Sequence, residues 1–285
     1  MRVKKLIKVA ILGLIILLVL LVSIAVYYVS DFRSPADEII RQQLEGKIQL
    51  DTVIFKGLPR RYLIRKNNSA KPLLCFIQGA PMILLDFIKY IEDSTLSSQY
   101  TIIVPERLGY GPSENDEAEE DIRVQAQHIT SLILKAADNN QQVVILSHSY
   151  GGPIGALTSK YLGDRVNGHV MLAPVIDPDH EKMFWFSKLP ILFPFRHFMS
   201  QALKTAAIEK SSHSSSLRLI KDEFDDIHSP TIHFHGTDDF LAPIENIPFV
   251  RAHFDTQYLK QVIIPGGNHF MDFTLVRNEL VRLSQ

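Results

Sequence analysis

Six short apolar runs, at 72–77, 100–104, 142–146, 170–172, 231–234 and 261–264, recur along this 285-residue chain with helical patterns between them. Runs of Val, Ile and Leu without alternation suit strands buried on both faces. Strands of that kind, separated by helices, build a mostly parallel sheet covered on both sides. Helices are expected over 83–97, 117–138, 150–162, 245–254 and 270–284. In the second of these Ile122, Val124, Ile129, Leu132, Ile133 and Leu134 cluster on one side, with acids massed in the first turn. Ahead of the sheet, 52–55 and 62–64 read as a hairpin joined through Gly57-Leu58-Pro59.

The third run ends abruptly in Leu146-Ser147-His148-Ser149-Tyr150-Gly151-Gly152, and a helix-like segment follows at once. A strand that turns this sharply into a helix pushes one side chain, here Ser149, out of the sheet end, and it needs small residues two before and two after. Gly151 meets the demand fully and Ser147 approximately. A serine hydroxyl needs a base held in the right tautomer by a carboxylate. In chain order the candidates are Asp239, just past the run at 231–234, and His269, in a Gly-rich turn past the last run. All these strand ends lie on one edge of a parallel sheet, where open α/β sheets place their ligands. Asp238, by a one-residue slip, and Asp177 or Asp179, after the preceding strand, are alternative acids. The turn Gln78-Gly79-Ala80-Pro81 follows the first parallel strand, so the N–H of Ala80 together with that of Tyr150 can form an oxyanion hole.

From about 177 to 229 there is no strand signal, and the segment carries the only Trp and a cluster of Phe. Met183-Phe184-Trp185-Phe186 and Leu192-Phe193-Pro194-Phe195 are too aromatic for an exposed loop and are broken into short helices by Pro190 and Pro194. They read as a cap over the sheet end, with core packing as the rival reading and contact with a nearby bilayer as a further reading compatible with the cap. The stretch 211–216, five Ser around His213, reads as a mobile turn. Gln78, Gly79, His148, Trp185 and Phe186 are the expected substrate-binding residues, with Tyr150 as a further pocket wall.

Five motifs therefore stand in one order: Gln78-Gly79-Ala80-Pro81; Glu106-Arg107-Leu108-Gly109-Tyr110-Gly111-Pro112-Ser113; Ser147-His148-Ser149-Tyr150-Gly151; His235-Gly236-Thr237-Asp238-Asp239 with Pro243 downstream; and Gly267-Asn268-His269. Over roughly 51–285 they resemble the α/β-hydrolase superfamily, in its capped serine-esterase or lipase-like form. The resemblance implies a twisted, mostly parallel sheet with helices on both faces and a helical cap insert. It also implies ester hydrolysis through an acyl-enzyme on Ser149, with His269 and Asp239, and no cofactor or metal. Three departures bear on the oxyanion side: Gln78 stands where the family has His, Glu106 where it has Asp, and Ser147 where the elbow has Gly. A Ser nucleophile disfavours the haloalkane dehalogenase and epoxide hydrolase branches. Acyl transfer or amide cleavage by the same triad, and a catalytically silent binding protein, are the alternative functions.

Residues 9–29 carry no charge, and as a helix these 21 residues would span roughly 31 Å, enough for a hydrocarbon core. Arg2, Lys4, Lys5 and Lys8 precede the run and favour a cytosolic N-terminus. Ser23-Ile24-Ala25 offers the rival reading of a cleaved signal peptide, whereas Tyr27-Tyr28 suits an interfacial belt. The expected organisation is a basic N-terminus at 1–8, a transmembrane signal anchor at 9–29, a juxtamembrane linker helix at 30–50, core at 51–176, cap at 177–229 and core at 230–285. The catalytic part then lies on the extracytoplasmic side. Excluding the four leading cations, 26 Lys and Arg face 31 Asp and Glu, and a net charge of −5 argues against nucleic acid. The expected partners are a small-molecule or lipid-like ester and the membrane. The lone Cys75 reads as a buried hydrophobe, His233 and His235 as structural and not a metal pair, and Asn67-Asn68-Ser69 as a single weak glycosylation acceptor.

Overall fold

In the computed structural model, the apolar runs become strands of one eight-stranded sheet. They are β1 (Ile48–Phe55), β2 (Leu58–Arg65), β3 (Leu73–Ile77), β4 (Thr101–Pro105), β5 (Val143–His148), β6 (Val166–Leu172), β7 (Thr231–Gly236) and β8 (Leu259–Ile264). The order is β1-β2-β4-β3-β5-β6-β7-β8. β2 pairs antiparallel with both β1 and β4. Every pairing from β4 through β8 is parallel. The structure describes residues 35–44, 47–67, 71–112 and 117–284, together with Gly13, Leu14, Ile16 and Leu17. The uncharged run at 9–29 and the basic residues before it lie almost wholly outside the described residues, as do Asn68, Ser69 and Ser113. Among the described residues no helix is long and apolar enough to cross a membrane.

Strand periodicity divides the core in two. Leu73, Cys75, Ile77, Ile103, Val143 and Ile145 face one cluster, with helices α4 (Ile122–Ala136) and α5 (Gly151–Leu162) laid over it. Leu74, Phe76, Ile102, Val104, Val144 and Leu146 face the other, covered by α1 (Asp37–Gln43), α2 (Ile88–Glu92), α3 (Ser94–Gln99) and α8 (Phe273–Leu283). Cys75 is fully buried, and burial pushes its thiol well up.

Several boundaries differ from expectation, each for a local reason. The hairpin turns on Lys56-Gly57 alone, both at positive φ (48° and 79°), so Leu58 and Pro59 already belong to β2. The helix expected over 83–97 is a 3₁₀ turn at Leu84–Phe87 followed by α2 and α3. They are separated at Asp93, whose carboxylate accepts from the Leu96 N–H and starts α3 afresh. Acids at 117–121 precede α4 and do not form its first turn; Asp121 is its N-cap. The linker helix is not free of the core: Ile40 is fully buried in the second cluster, and Asp37 pairs with Arg61 at 2.7 Å. β1 begins at Ile48, three residues inside the expected linker.

Between β6 and β7 the chain leaves the sheet. Two 3₁₀ turns, Leu189–Ile191 and Phe195–His197, lead into the 20-residue helix α6 (Gln201–Ile220), and α7 (Asn246–His253) follows β7. The Ser-rich stretch 211–216, expected as a mobile turn, lies inside α6. Its hydroxyls bond back to carbonyls of the preceding turn, Ser211 to Ala207 at 2.8 Å and Ser212 to Ile208 at 3.2 Å, and Ser214 reaches Pro178 at 2.6 Å. The low helix propensity of serine is overridden by burial of Thr205, Glu209, His213 and Leu217 on one helix face.

Candidate active site

Ser149 sits between β5 and α5 with φ +54°, a left-handed conformation that costs a non-glycine residue roughly 1–2 kcal/mol. The turn is held by Ser149 N–H to Leu172 O at 2.9 Å and Gly152 N–H to Ser149 O at 2.8 Å. A Cβ on Gly151 would lie 2.5 Å from Ile77 O, and one on Gly79 2.9 Å from Ser149 Cβ, so both positions exclude side chains. The small-residue demand at Ser147 is met from the other side. A Cβ on Gly155, one turn into α5, would lie 2.8 Å from Ser147 Cβ and 2.8 Å from His169 Nε2. The Ser147 hydroxyl bonds His169 Nε2 at 2.8 Å. A serine is tolerated there because α5 has no side chain at the contact.

His269 and Asp239 meet across the ends of β8 and β7, with Nδ1 and Oδ2 2.8 Å apart. The second carboxylate oxygen of Asp239 accepts from the N–H groups of Leu241 at 2.9 Å and Ala242 at 2.8 Å. Burial alone would raise this carboxyl, but the bonds from His269 and the two amides outweigh it and hold Asp239 below the usual carboxylate range. Asp239 is thus an acceptor, and His269 must carry its proton on Nδ1, leaving Nε2 as the basic nitrogen. The other candidate acids are engaged elsewhere: Asp177 with His180 at 2.7 Å, Asp179 with Arg218 at 2.7 Å, and Asp238, exposed, with the Thr237 hydroxyl at 3.0 Å. A Cβ on Gly236 would lie 2.1 Å from Gly267 O, so the acid and histidine turns approach closely only through a glycine.

Ser149 and His269 line one cavity of about 710 Å³ together with Ala80, His148, Tyr150 and Phe186. Among the described residues no hydrogen bond joins Ser149 to His269; such bonds often tighten only when substrate binds. The backbone N–H groups of Ala80 and Tyr150 make no hydrogen bond within the described part of the protein, which leaves two donors free beside the elbow. His148 is a wall: its Nε2 meets the carbonyl of His269 at 3.1 Å. Burial, then the neighbouring His269, lowers its pKa to about 4.

Three expected substrate-binding residues stand apart from the cavity lining. Gln78 is fully buried and its amide donates to Pro105 O at 2.6 Å, so it braces the turn at 78–81 from behind. Gly79 serves close approach to the elbow. Trp185 is 86% exposed and does not line the cavity that its neighbour Phe186 lines. His233 and His235 are buried and satisfied, 3.2 Å from each other, with His235 also bonded to Ala242 O at 3.1 Å. Among the described residues no cluster of metal-ligating side chains occurs.

Reading the sequence missed a buried clamp beneath the site. Arg107 and Glu209 are both fully buried and paired at 2.6 and 3.2 Å; Tyr110 and Gln125 also donate to Glu209, at 2.6 and 3.2 Å. Arg107 reaches Gly79 O at 3.3 Å and lies 4.9 Å from the Tyr150 ring, so the clamp ties helix α6 to the turn at 78–81 and to the turn after Ser149. Burial works against the guanidinium charge, but the Glu209 carboxylate more than offsets it. The cap also contributes Glu181, Lys210 and His213 to the cavity wall; Glu181 pairs with Lys210 and with His213 Nδ1 at 2.9 Å. The i, i+4 spacing of Thr205, Glu209 and His213 was the available signal, hidden by the serines around it.

A family model described as the alpha/beta hydrolase fold matches residues 72–196. No curated protein matches the chain in sequence. Among solved structures, a candidate lipase (lip1) from Acinetobacter baumannii AYE superposes with a TM-score of 0.64 at 15% identity, covering 88% of this chain and 98% of that one. A membrane phospholipase A, described as a bacterial virulence factor, gives 0.58 at 18% identity over 92% of each chain. A monoacylglycerol lipase from Paleococcus ferrophilus gives 0.56 at 15% identity, covering 75% of this chain and 95% of that one. At these identities the likeness is one of fold.

Proposed function

On an alpha/beta hydrolase fold, we propose that this chain is a serine hydrolase that cleaves a carboxylic ester of an apolar acyl or aryl substrate. The observation that carries the reading is a strained serine at φ +54° sharing one cavity with a His269–Asp239 pair joined at 2.8 Å. In the reaction, His269 Nε2 takes the Ser149 proton as Oγ attacks the ester carbonyl. The free N–H groups of Ala80 and Tyr150 receive the developing oxyanion; each such donor is typically worth about 10²–10³ in rate. His269 then protonates the leaving alcohol, and a water activated by the same nitrogen releases the acyl group from Ser149. Asp239 holds the productive tautomer and stabilises the imidazolium. Phe184, Phe186, Pro190, Leu203 and Leu241 on the cavity wall favour an apolar substituent. The names of the lipase and phospholipase structures of like fold agree with an ester or lipid substrate.

The test is labelling by a fluorophosphonate probe in wild type and Ser149→Ala. Labelling of wild type that disappears in the variant is expected. A folded wild type that does not label would remove the hydrolase reading and leave a binding protein.

For localisation, we propose that the uncharged run at 9–29 anchors the chain in a membrane with the leading cations on the cytosolic side and residues 30–285 outside. Digestion of a C-terminal tag by protease added to intact cells or spheroplasts is expected; full protection would overturn it.

A further inference from the structure

The cap segment and the two loops after β7 and β8 present an unusual surface. Trp185 is 86% exposed, Phe193 77%, Phe270 68%, Phe240 61%, Phe198 52% and Phe195 44%, far more open aromatic area than a soluble face usually carries. The patch is continuous in part through ring contacts: Trp185 to Phe186 at 5.6 Å, Phe186 to Phe184 at 5.3 Å, and Phe184 to Phe240 at 6.2 Å. It also holds the cavity mouth, because Phe186 and Phe270 line the cavity and are exposed. Its charge is one-sided along the 182–208 segment, while Asp238 and Asp272 flank Phe240 and Phe270 at its edge. Residues 182–208 contain Lys182, Lys188, Arg196 and Lys204 and no Asp or Glu, in a chain whose net charge is −1.

We propose that this face docks on an anionic lipid bilayer, with the aromatic side chains at the headgroup–acyl boundary and the cavity mouth opening onto the lipid. Trp and Phe flanked by Lys and Arg are the composition of an interfacial surface, and the basic side chains complement anionic headgroups. A second copy of this chain fits less well, since two such faces brought together would oppose like charges. On the hydrolase reading, the substrate is then an ester lipid that enters Ser149's cavity from the membrane without crossing water. The docking itself does not depend on that reading.

Trp185 is the only tryptophan, so its fluorescence reports this face alone in the full chain. Full-length Ser149→Ala protein, used so that lipid is not consumed, is reconstituted in vesicles of zwitterionic and anionic phospholipid carrying a nitroxide at a shallow or a deep acyl position. Trp185 emission is expected to shift to shorter wavelength and to be quenched more by the shallow label, as for side chains roughly 5–10 Å below the surface. Phe193→Asp with Phe198→Asp, on the exposed face, should return the emission to that of a water-exposed indole. Water-like, unquenched emission of the parent protein would overturn the proposal. So would a short-wavelength shift that grows with protein-to-lipid ratio without lipid quenching, which would assign the face to a second copy. Failure of wild type to label with fluorophosphonate would remove the hydrolase reading separately and leave the docking result standing.

Discussion

Replacing Asp239 by Asn separates the role of the acid from its place in the fold. Asp239 Oδ1 accepts from the N–H groups of Leu241 and Ala242 at 2.9 and 2.8 Å, and an amide oxygen can keep both bonds. Oδ2 faces His269 Nδ1 at 2.8 Å, and there the amide presents N–H where the carboxylate accepted. His269 must then place its own proton on Nε2, the nitrogen that in the proposed reaction receives the Ser149 proton. The turn survives while the base is blocked. The expected loss in kcat/KM is about 10⁴, or about 5.4 kcal/mol of transition-state stabilisation. The expected loss of folding stability is only about 1.5–3 kcal/mol, the scale of one bond to a charged group. The assay is hydrolysis of a chromogenic ester beside urea unfolding, with Asp177→Asn and Asp238→Asn as companions expected to leave kcat/KM unchanged. A folded Asp239→Asn protein within tenfold of wild type would refute the assignment of the acid, and a loss confined to Asp177→Asn would move it to the end of β6.

Three further outcomes follow from packing and charge. Glu209→Ala leaves Arg107 buried without its partner and is expected to lose about 3–5 kcal/mol by chemical denaturation; a loss under 1 kcal/mol would show that water reaches the clamp. Gly155→Ala drives a Cβ to 2.8 Å from Ser147 Cβ and is expected to cost about 1–3 kcal/mol. Ser147→Gly should recover part of that loss, and strict additivity of the two changes would deny the contact. Burial holds His148 neutral down to about pH 4, and His169 and His233 down to about pH 3. Unfolded histidines protonate near pH 6.5, so the unfolded chain binds more protons below that value and stability falls as pH drops from about 6 toward 4. Three such groups imply a slope of about 4 kcal/mol per pH unit, and equal urea midpoints at pH 6 and pH 5 would contradict it.

The layered sheet was legible because hydrophobic period and length are local: apolar runs of three to six residues between helical patterns admit few arrangements. The elbow was legible for a related reason, since Gly151 and the serine beside the strand end are adjacent in sequence and their steric demand is local. Convergence of Asp239 and His269 with Ser149 followed from the parallel sheet, whose strand ends share an edge. What remained hidden depends on partners distant in the chain. Ser147 is acceptable only because Gly155 and His169 surround it. Gln78 turns inward because Pro105 offers an acceptor, and Trp185 faces out while Phe186 faces in. Serines at 211–216 stay helical because burial of Glu209, His213, Ser216 and Leu217 on one face outweighs a propensity difference of a few tenths of a kcal/mol per residue. Sequence by itself determined which residues can be strand and which form the sharp turn at Ser149, because those are set by backbone sterics and nearest neighbours. Only the tertiary structure decided which side chains brace the turn at 78–81 and which aromatic residues open to solvent, because burial and pairing energies exist only once distant segments meet.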